Sequence, residues 1–308
     1  MEGARKAVEG PLDAPAVFAR REGFVSHWHD GQNAALVKGM GAEVRPWISR
    51  DATSARALAE AGVDVRMGVT VTALSRSEGT GPVTLLLDDG AELEADKVLF
   101  AIGRTPLTDD IGLETVGLTP GSWLEVDETC RVRAISDCWL YAMGDVNHHA
   151  LLTHQGKYQA RIGGDAIAAH AAGRPLDTAP WRAHVISADF HGVPQVFLCD
   201  PEATAVGLSA EQAERAGHRV RAVDVELGNV TGASLYADRY RGRARMVVDL
   251  DHGYLLSVTF VGPGVAELLH SAIVAVAGQV PIDRLWHAVP CFPTISEVWL
   301  RLLEAHRG

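Results

Sequence analysis

The chain has 308 residues, 47% of them hydrophobic and 22% charged, and carries a formal net charge of -11. That length and composition suit about two globular domains and exclude a disordered chain. The acidic balance argues against a nucleic-acid partner, because a net-negative surface repels a phosphate backbone.

No stretch reads as a membrane span. The most apolar one, 262–280, is interrupted by Pro263, Glu267 and His270, whereas a spanning helix needs about 20 apolar residues. The first residues contain no apolar core of signal-peptide length, so a cytoplasmic protein is expected. Cys130, Cys138, Cys199 and Cys291 form no CxxC or CxxxxC pair and are expected as reduced, mostly buried thiols. Metal-ligand spacing is absent; His27-Trp28-His29 is the nearest approach to it.

Residues 1–50 are irregular, with a short helix expected only over 32–40. Thr53 and Ser54 can cap a helix that runs to about Ala61 and ends at Gly62. Val63, Val65, Val69 and Val71 then alternate as a strand. Val83 to Leu87 and Ala91 to Leu93 flank Asp88-Asp89-Gly90, a hairpin signal. Residues 97–104, KVLFAIGR, and 139–145, WLYAMGD, are apolar runs that end in Gly plus a charged residue, as strands buried on both faces do. Ligands of open α/β sheets bind beyond such strand ends, which marks Gly103-Arg104 and Gly144-Asp145, although ordinary turns share the pattern. A helix is expected over 155–171, with Tyr158, Ile162, Ala166 and Ile167 on one face. Residues 172–180, with two Pro, read as a linker.

The last third changes pattern. Strands are expected over 195–198, 219–226, 244–250 and 254–260, and helices over 209–216, 265–277 and 294–306. Asp251-His252-Gly253 makes a turn between the last two strands. This is the pattern of an α+β domain with an antiparallel sheet.

Several long motifs now stand in order: KVLFAIGRTPLTDDIGLETVGL, WLYAMGDV, LLTHQGKYQARIGGDAI, FLCDPEATAVGLS, VTFVGPGVAELLHSAIVAV and PCFPTISEVWLRLLE. Over roughly residues 60–308 the chain resembles the class I pyridine nucleotide–disulfide oxidoreductases, the family of dihydrolipoamide dehydrogenase, glutathione reductase and mercuric reductase. The resemblance implies an α/β chain in which an incomplete FAD/NAD-binding Rossmann-like region precedes an α+β dimerisation domain. Residues 1–50 would be an irregular remnant of the FAD domain and linker, 51–180 a partial NAD/FAD-binding region, and 181–308 the dimerisation domain.

The departures from the family pattern are specific. Its GxGxxG turns, which seat the FAD and NAD pyrophosphates at helix N-termini, have no counterpart in these 308 residues, and neither does its CxxxxC redox pair. RPWISRDATSAR (45–56) resembles the linker into the NAD domain and runs directly into LAEAGVDV, which resembles that domain's later half. Two family segments are therefore expected to be missing. The family's C-terminal motif, His-Pro-Thr-x-Ser-Glu, reads Phe292-Pro293-Thr294-Ile295-Ser296-Glu297 here. Glu297 is retained, but Phe292 cannot exchange a proton with a thiol. Cys291 reads either as a nucleophile or as a small apolar filler, with His287 as its nearest sequence partner.

The resemblance implies FAD and NAD(P)H as cofactors, both on weakened sites. Gly144 and Asp145 would meet the flavin's sugar chain and pyrophosphate end, and Leu152, Thr153 and His154 its ring system. An alternative gives Asp145 the task of capping the following helix. Gly103 and Arg104 would lie near the nicotinamide path. Glu297 and Cys291 are the catalytic candidates, and no metal is expected. A homodimer is expected because Val265, Leu268, Leu269, Ala272, Ile273 and Val276 make a stripe wider than one sheet face needs. Neither membrane nor nucleic acid is expected as a partner, and the substrate is open. The sequence admits a flavin-linked oxidoreductase of degenerate type, a non-redox dimeric binding or scaffold protein, and an inactive truncated product; whether it is an enzyme stays open.

Overall fold

The computed structural model describes residues 64–66, 68–76, 81–100, 103–137, 139–198 and 201–308. The readings of residues 1–62, His27 and His29 among them, and those of Val63, Cys138 and Cys199 lie outside the described residues. Two compact units divide the chain, one ending at Gly103 and one running from Arg104 to Gly308.

The first unit holds an antiparallel sheet of β1 (Val71–Arg76), β2 (Val83–Leu87) and β3 (Glu92–Ala95) in that order. The Asp-Gly hairpin forms as its residues require. Gly90 takes φ 82, Leu87 N donates to Ala91 O at 2.9 Å, and the Asp89 carboxylate accepts from Ala91 N at 2.9 Å. Val83, Leu85 and Leu87 alternate into the interior along β2, and Val98 joins the first two. Two expectations fail here. The strand expected from Val63 begins only at Val71, because Gly68 at φ 69 breaks the extended run. The described residues of KVLFAIGR, 97–100 and 103–104, form no strand, and Leu99 and Phe100 are exposed. Apolar character alone cannot make a buried strand; ladder partners must flank it, and none does among the described residues.

In the second unit, residues 104–150 fold mostly through turns. WLYAMGD is not a sheet strand either. Residues 140–142 pair only locally, through Val132 N to Leu140 O and Ala142 N to Cys130 O, both 2.9 Å. The pairing stops at Gly144, whose φ of 86 turns the chain into a short 3-10 turn over Asp145–Asn147. Next comes α1 (Thr153–Ala171), two residues earlier than expected. Its buried face is Gln155, Gln159, Gly163, Ala166 and Ala169; of the expected face of Tyr158, Ile162, Ala166 and Ile167 only Ala166 is buried. Small residues let the helix approach closely: a Cβ on Gly163 would overlap the Met143 sulfur. Residues 172–180, read from the sequence as a linker, are irregular and lie within the second compact unit.

After α2 (Ser187–His191) the chain enters a five-stranded sheet. Its strands are β4 (Pro194–Phe197), β5 (Ala203–Gly207), β6 (Val220–Glu226), β7 (Arg243–Asp249) and β8 (Leu255–Val261). Their order is β4-β5-β8-β7-β6, all pairs antiparallel. β5 was not foreseen; it is held between β4 and β8, where Gly207 at φ 84 lies so close to Leu256 O that a Cβ would overlap it. The short helices α3 (Ala210–Arg215), α4 (Thr231–Tyr236) and α6 (Ile282–Leu285) punctuate the sheet. Ser209 starts α3 with a capping box closed by Gln212.

The main core lies between one sheet face, with Val206, Met246, Val248, Val258 and Phe260, and two helices, α5 (Leu269–Ala277) and α7 (Val298–Arg307). Both helices open with a 3-10 turn, over 265–268 and 295–297, so the long helices expected from 265 and 294 each start four residues late. The stripe expected to face a partner is largely buried in this core. Val265, Leu268, Leu269, Ala272 and Val276 are all interior, and Ile273 packs against them. The physical reason is that β5 and β8 both lie beneath α5 and take the whole width of the stripe. The opposite sheet face carries a smaller cluster of Ala213, Val247 and Leu256.

Candidate functional site

The segment 144–154 joins the end of the WLYAMGD run to α1, and it gathers most of the cofactor-site candidates. Asp145 Oδ2 pairs with Arg104 Nη1 at 2.9 Å, and the same guanidinium donates to Leu151 O at 2.5 Å. Both side chains are about half exposed, so the pair is a wet one. Asp145 Oδ1 accepts no hydrogen bond from the described residues. Asp145 does not cap α1: the N-cap is Leu152, without any side-chain cap. Gly156 N is the first amide bonded into the helix, to Leu152 O at 3.0 Å, which leaves the amides of Thr153, His154 and Gln155 open. Thr153 and His154 are exposed, and His154 Nε2 lies 2.9 Å from Pro194 O.

Gly144 contributes shape more than a donor. Its φ of 86 brings it against Gly156, where a Cβ on Gly156 would stand 3.4 Å from Gly144 Cα. Its N–H is engaged internally by Gln159 Oε1 at 2.6 Å. Gln159 Oε1 also accepts from Asn147 Nδ2 at 2.8 Å, while Gln159 Nε2 donates to Asp189 Oδ2. Gln155 Nε2 donates to Asp189 Oδ1 at 2.7 Å. Burial pushes the Asp189 carboxyl up, against the opposing pull of the Gln159 and Gln155 amides. None of Gln155, Gln159, Asn147 or Asp189 was singled out from the sequence. The available signal was two glutamines four residues apart on one helix, which only tertiary contact distinguishes from a solvated pair.

Beneath this segment Cys130 is fully buried, and burial, with Asp189 and Asp127 adding to it, pushes its thiol up to about 12. It is an unreactive interior thiol, as expected of it.

The remaining candidates lie elsewhere. Gly103, at φ 117, belongs to the other compact unit. Glu297 begins α7; it is buried, with Oε1 3.9 Å from Arg301 Nη2, and Oε2 has no hydrogen-bond partner. Cys291 is exposed, next to Phe292 at 72% exposure, and its carbonyl accepts from Thr294 Oγ1 at 2.6 Å. His287 sits just past α6 rather than on it, its N–H bonded to Arg284 O at 3.0 Å. No hydrogen bond links Glu297 or Cys291 to the 144–154 segment among the described residues. Those residues also hold no cluster of three or more side chains fit for a metal ion, and no helix long and apolar enough to cross a membrane.

Two family models match the chain. "Pyridine nucleotide-disulphide oxidoreductase" covers residues 33–173, and "Pyridine nucleotide-disulphide oxidoreductase, dimerisation domain" covers 193–303. The chain belongs to the pyridine nucleotide–disulphide oxidoreductase family. Among its relatives, the dihydrolipoyl dehydrogenase of Halobacterium salinarum is 28% identical over 257 residues, which are 81% of this chain and 50% of that protein. That of Geobacillus stearothermophilus is 26% identical over 267 residues, 80% of this chain and 53% of its own length. The chain thus spans about half the length of the curated relatives it matches. Among solved structures, the HOCl-induced flavoprotein disulfide reductase RclA from Escherichia coli has a TM-score of 0.67 at 23% identity, over 84% of this chain and 56% of RclA. LpdA from Mycobacterium tuberculosis has a TM-score of 0.66 at 25% identity, over 84% of this chain and 53% of LpdA. The fold is therefore that of the family: a mixed α/β region followed by the dimerisation domain, whose five-stranded sheet and overlying helices are described above.

Proposed function

We propose that this chain works as a flavin-binding, pyridine nucleotide-linked oxidoreductase subunit of a homodimer, with the flavin seated on the 144–154 segment. The observation that carries this reading is the uncapped first turn of α1 beside a half-exposed Asp145 carboxylate with one unused oxygen. The residues present suit FAD. Asp145 Oδ1 accepts hydrogen bonds from sugar-chain hydroxyls. The open amides of residues 153–155 face partial negative charge on the ring system. Leu152 offers an apolar edge, and Thr153 and His154 flank it. Gly144 supplies the tight backbone turn, its own N–H being engaged by Gln159. Bound FAD would supply electron transfer between a nicotinamide and a second, small-molecule acceptor. Gly103 and Arg104 are proposed for the nicotinamide side, and the gap in the phosphate-cradling motifs predicts weak affinity for both cofactors. At the C-terminal motif Glu297 keeps its place, with Cys291 beside it. Phe292 removes the proton carrier, so thiol–disulfide turnover through this motif is not part of the proposal.

A second reading, a non-redox dimeric binding or scaffold protein, is favoured by one observation: Arg104 already pairs with Asp145 and with Leu151 O. Titration of the purified protein with FAD decides between them. The first reading expects saturable flavin uptake, and Asp145→Ala to weaken it about tenfold, the loss of a hydrogen bond to a charged group. A folded protein that takes up no flavin at millimolar FAD leaves the second reading.

A further inference from the structure

The amide of Gln159 is buried and its two ends face opposite chemistry. On one side stand the Gly144 N–H and the Asn147 NH2, at 2.6 and 2.8 Å; both can only donate, so the carbonyl oxygen must face them. On the other side stands the Asp189 carboxylate, an acceptor, which takes the Gln159 NH2. Reversing the amide would set donors against donors and the carbonyl against the carboxylate. Asn147 carries the order onward: its Nδ2 also donates to Ala142 O at 3.1 Å, and its Oδ1 accepts from His149 N at 3.1 Å. The result is an unbroken relay from Asp189 through Gln159 to both ends of the 144–149 turn, across a sequence separation of more than 30 residues.

We propose that Asp189 is a positioning residue for this turn: its carboxylate fixes the direction of the Gln159 amide and so holds Gly144 and Asn147 in the shape that presents Asp145 outward. Its consequence for flavin rests on the function proposed above; its effect on the turn does not. Asp189 is well placed for the task because its own backbone is anchored independently. Its N–H bonds to Ile186 O at 3.0 Å, Ile186 N to Glu128 O at 2.9 Å, and Ala188 N to the Tyr158 hydroxyl at 3.3 Å. A second donor, Gln155 Nε2, holds the other carboxylate oxygen at 2.7 Å.

The test is hydrogen–deuterium exchange of the peptide covering 142–149 in the full chain, with Gly144 and His149 amides as the reporters. Asp189→Ala should speed their exchange about tenfold, the protection one hydrogen bond to a charged group supplies. Asp189→Asn keeps an acceptor oxygen and should stay within about threefold of the parent. Gln159→Glu sets two carboxylates face to face and should behave like Asp189→Ala; adding Asp189→Asn to it restores a donor opposite the new carboxylate and should return exchange close to the parent rate. A merely structural role for Asp189 predicts no such rescue. Parent-like exchange in Asp189→Ala overturns the proposal. If Gln159→Glu fails to fold, the contrast between Asp189→Ala and Asp189→Asn decides alone, and equal rates in those two overturn it. Flavin titration of the same proteins separates the two ideas. Asp189-dependent exchange in a protein that binds no flavin upholds the positioning role and removes the flavin reading only.

Discussion

Asp249 ends β7 and its side chain is only 1% exposed, yet it is a carboxylate. Oδ1 accepts from the backbone amides of Asp251 and His252 at 2.8 and 3.0 Å, and Oδ2 from His218 Nδ1 and His252 Nδ1, also at 2.8 and 3.0 Å. Burial alone would raise this carboxyl. The amide and ring of His252, the ring of His218 and the amide of Asp251 outweigh it and hold the group well below the usual carboxylate range. Asp249→Ala leaves these donors without their acceptor at the 249–253 turn. A hydrogen bond to a charged group contributes about 1.5–3 kcal/mol. Water reaches the half-exposed His252 ring, so the four bonds do not add. The expected loss is about 3 kcal/mol at pH 7. The pH dependence has a definite sign. A carboxyl depressed by folding stabilises fully above its unfolded value of about 3.9, and that stability is lost as pH falls through the folded value. Urea unfolding of parent and variant should therefore give a constant difference from pH 7 to about pH 5, which shrinks below about pH 4. A difference under about 1 kcal/mol at pH 7, or one already shrinking between pH 7 and 5, would refute the hydrogen-bonded carboxylate as the source.

Three further outcomes are expected. Glu297→Gln should leave the unfolding free energy within about 1 kcal/mol of the parent, because Oε2 is buried without a partner and the charge is favoured only by the helix N-terminus and by Arg301 Nη2 at 3.9 Å from Oε1; a clear destabilisation in urea unfolding would reveal a partner for Oε2. Gly207→Ala should cost about 3 kcal/mol or more, since its Cβ would overlap Leu256 O and its φ of 84 is in the glycine region; thermal unfolding checks this, and a neutral change would show that β5 and β8 can separate. Light scattering should give twice the chain mass. With the α5 stripe interior, the surface for it must come from groups such as Leu235, Tyr236, Val274, Val289 and Phe292, all exposed; a monomer at micromolar concentration counts against a homodimer.

What was legible in the sequence was what local chemistry decides. Asp88-Asp89-Gly90 and Asp251-His252-Gly253 announce their turns because positive-φ glycines at 90 and 253 are needed there whatever else the chain does. The strands of the last third, β5 excepted, form within one residue of their expected bounds, and Ser209 with Gln212 starts α3 by a purely local exchange of hydrogen bonds. Apart from the strand broken locally at Gly68, the failures named here come from burial decided by residues far away. LFAIG and LYAMG look alike as apolar runs, but among the described residues neither is given ladder partners on both edges, and the second ends in a turn whose Gly144 N–H is held by Gln159. The helix 153–171 shows the point most sharply. An apolar-face rule chooses Tyr158, Ile162, Ala166 and Ile167; of these only Ala166 is buried, and the chain buries Gln155, Gln159 and Gly163 with it. Burying two amides is favourable because their polar atoms are met: the Asp189 carboxylate, about 30 residues on, accepts from both, and the Gln159 oxygen accepts from Gly144 and Asn147. The same carboxylate therefore explains why the sequence pattern misleads on this helix, and through Gln159 it reaches the Gly144 N–H at the end of the WLYAMGD run.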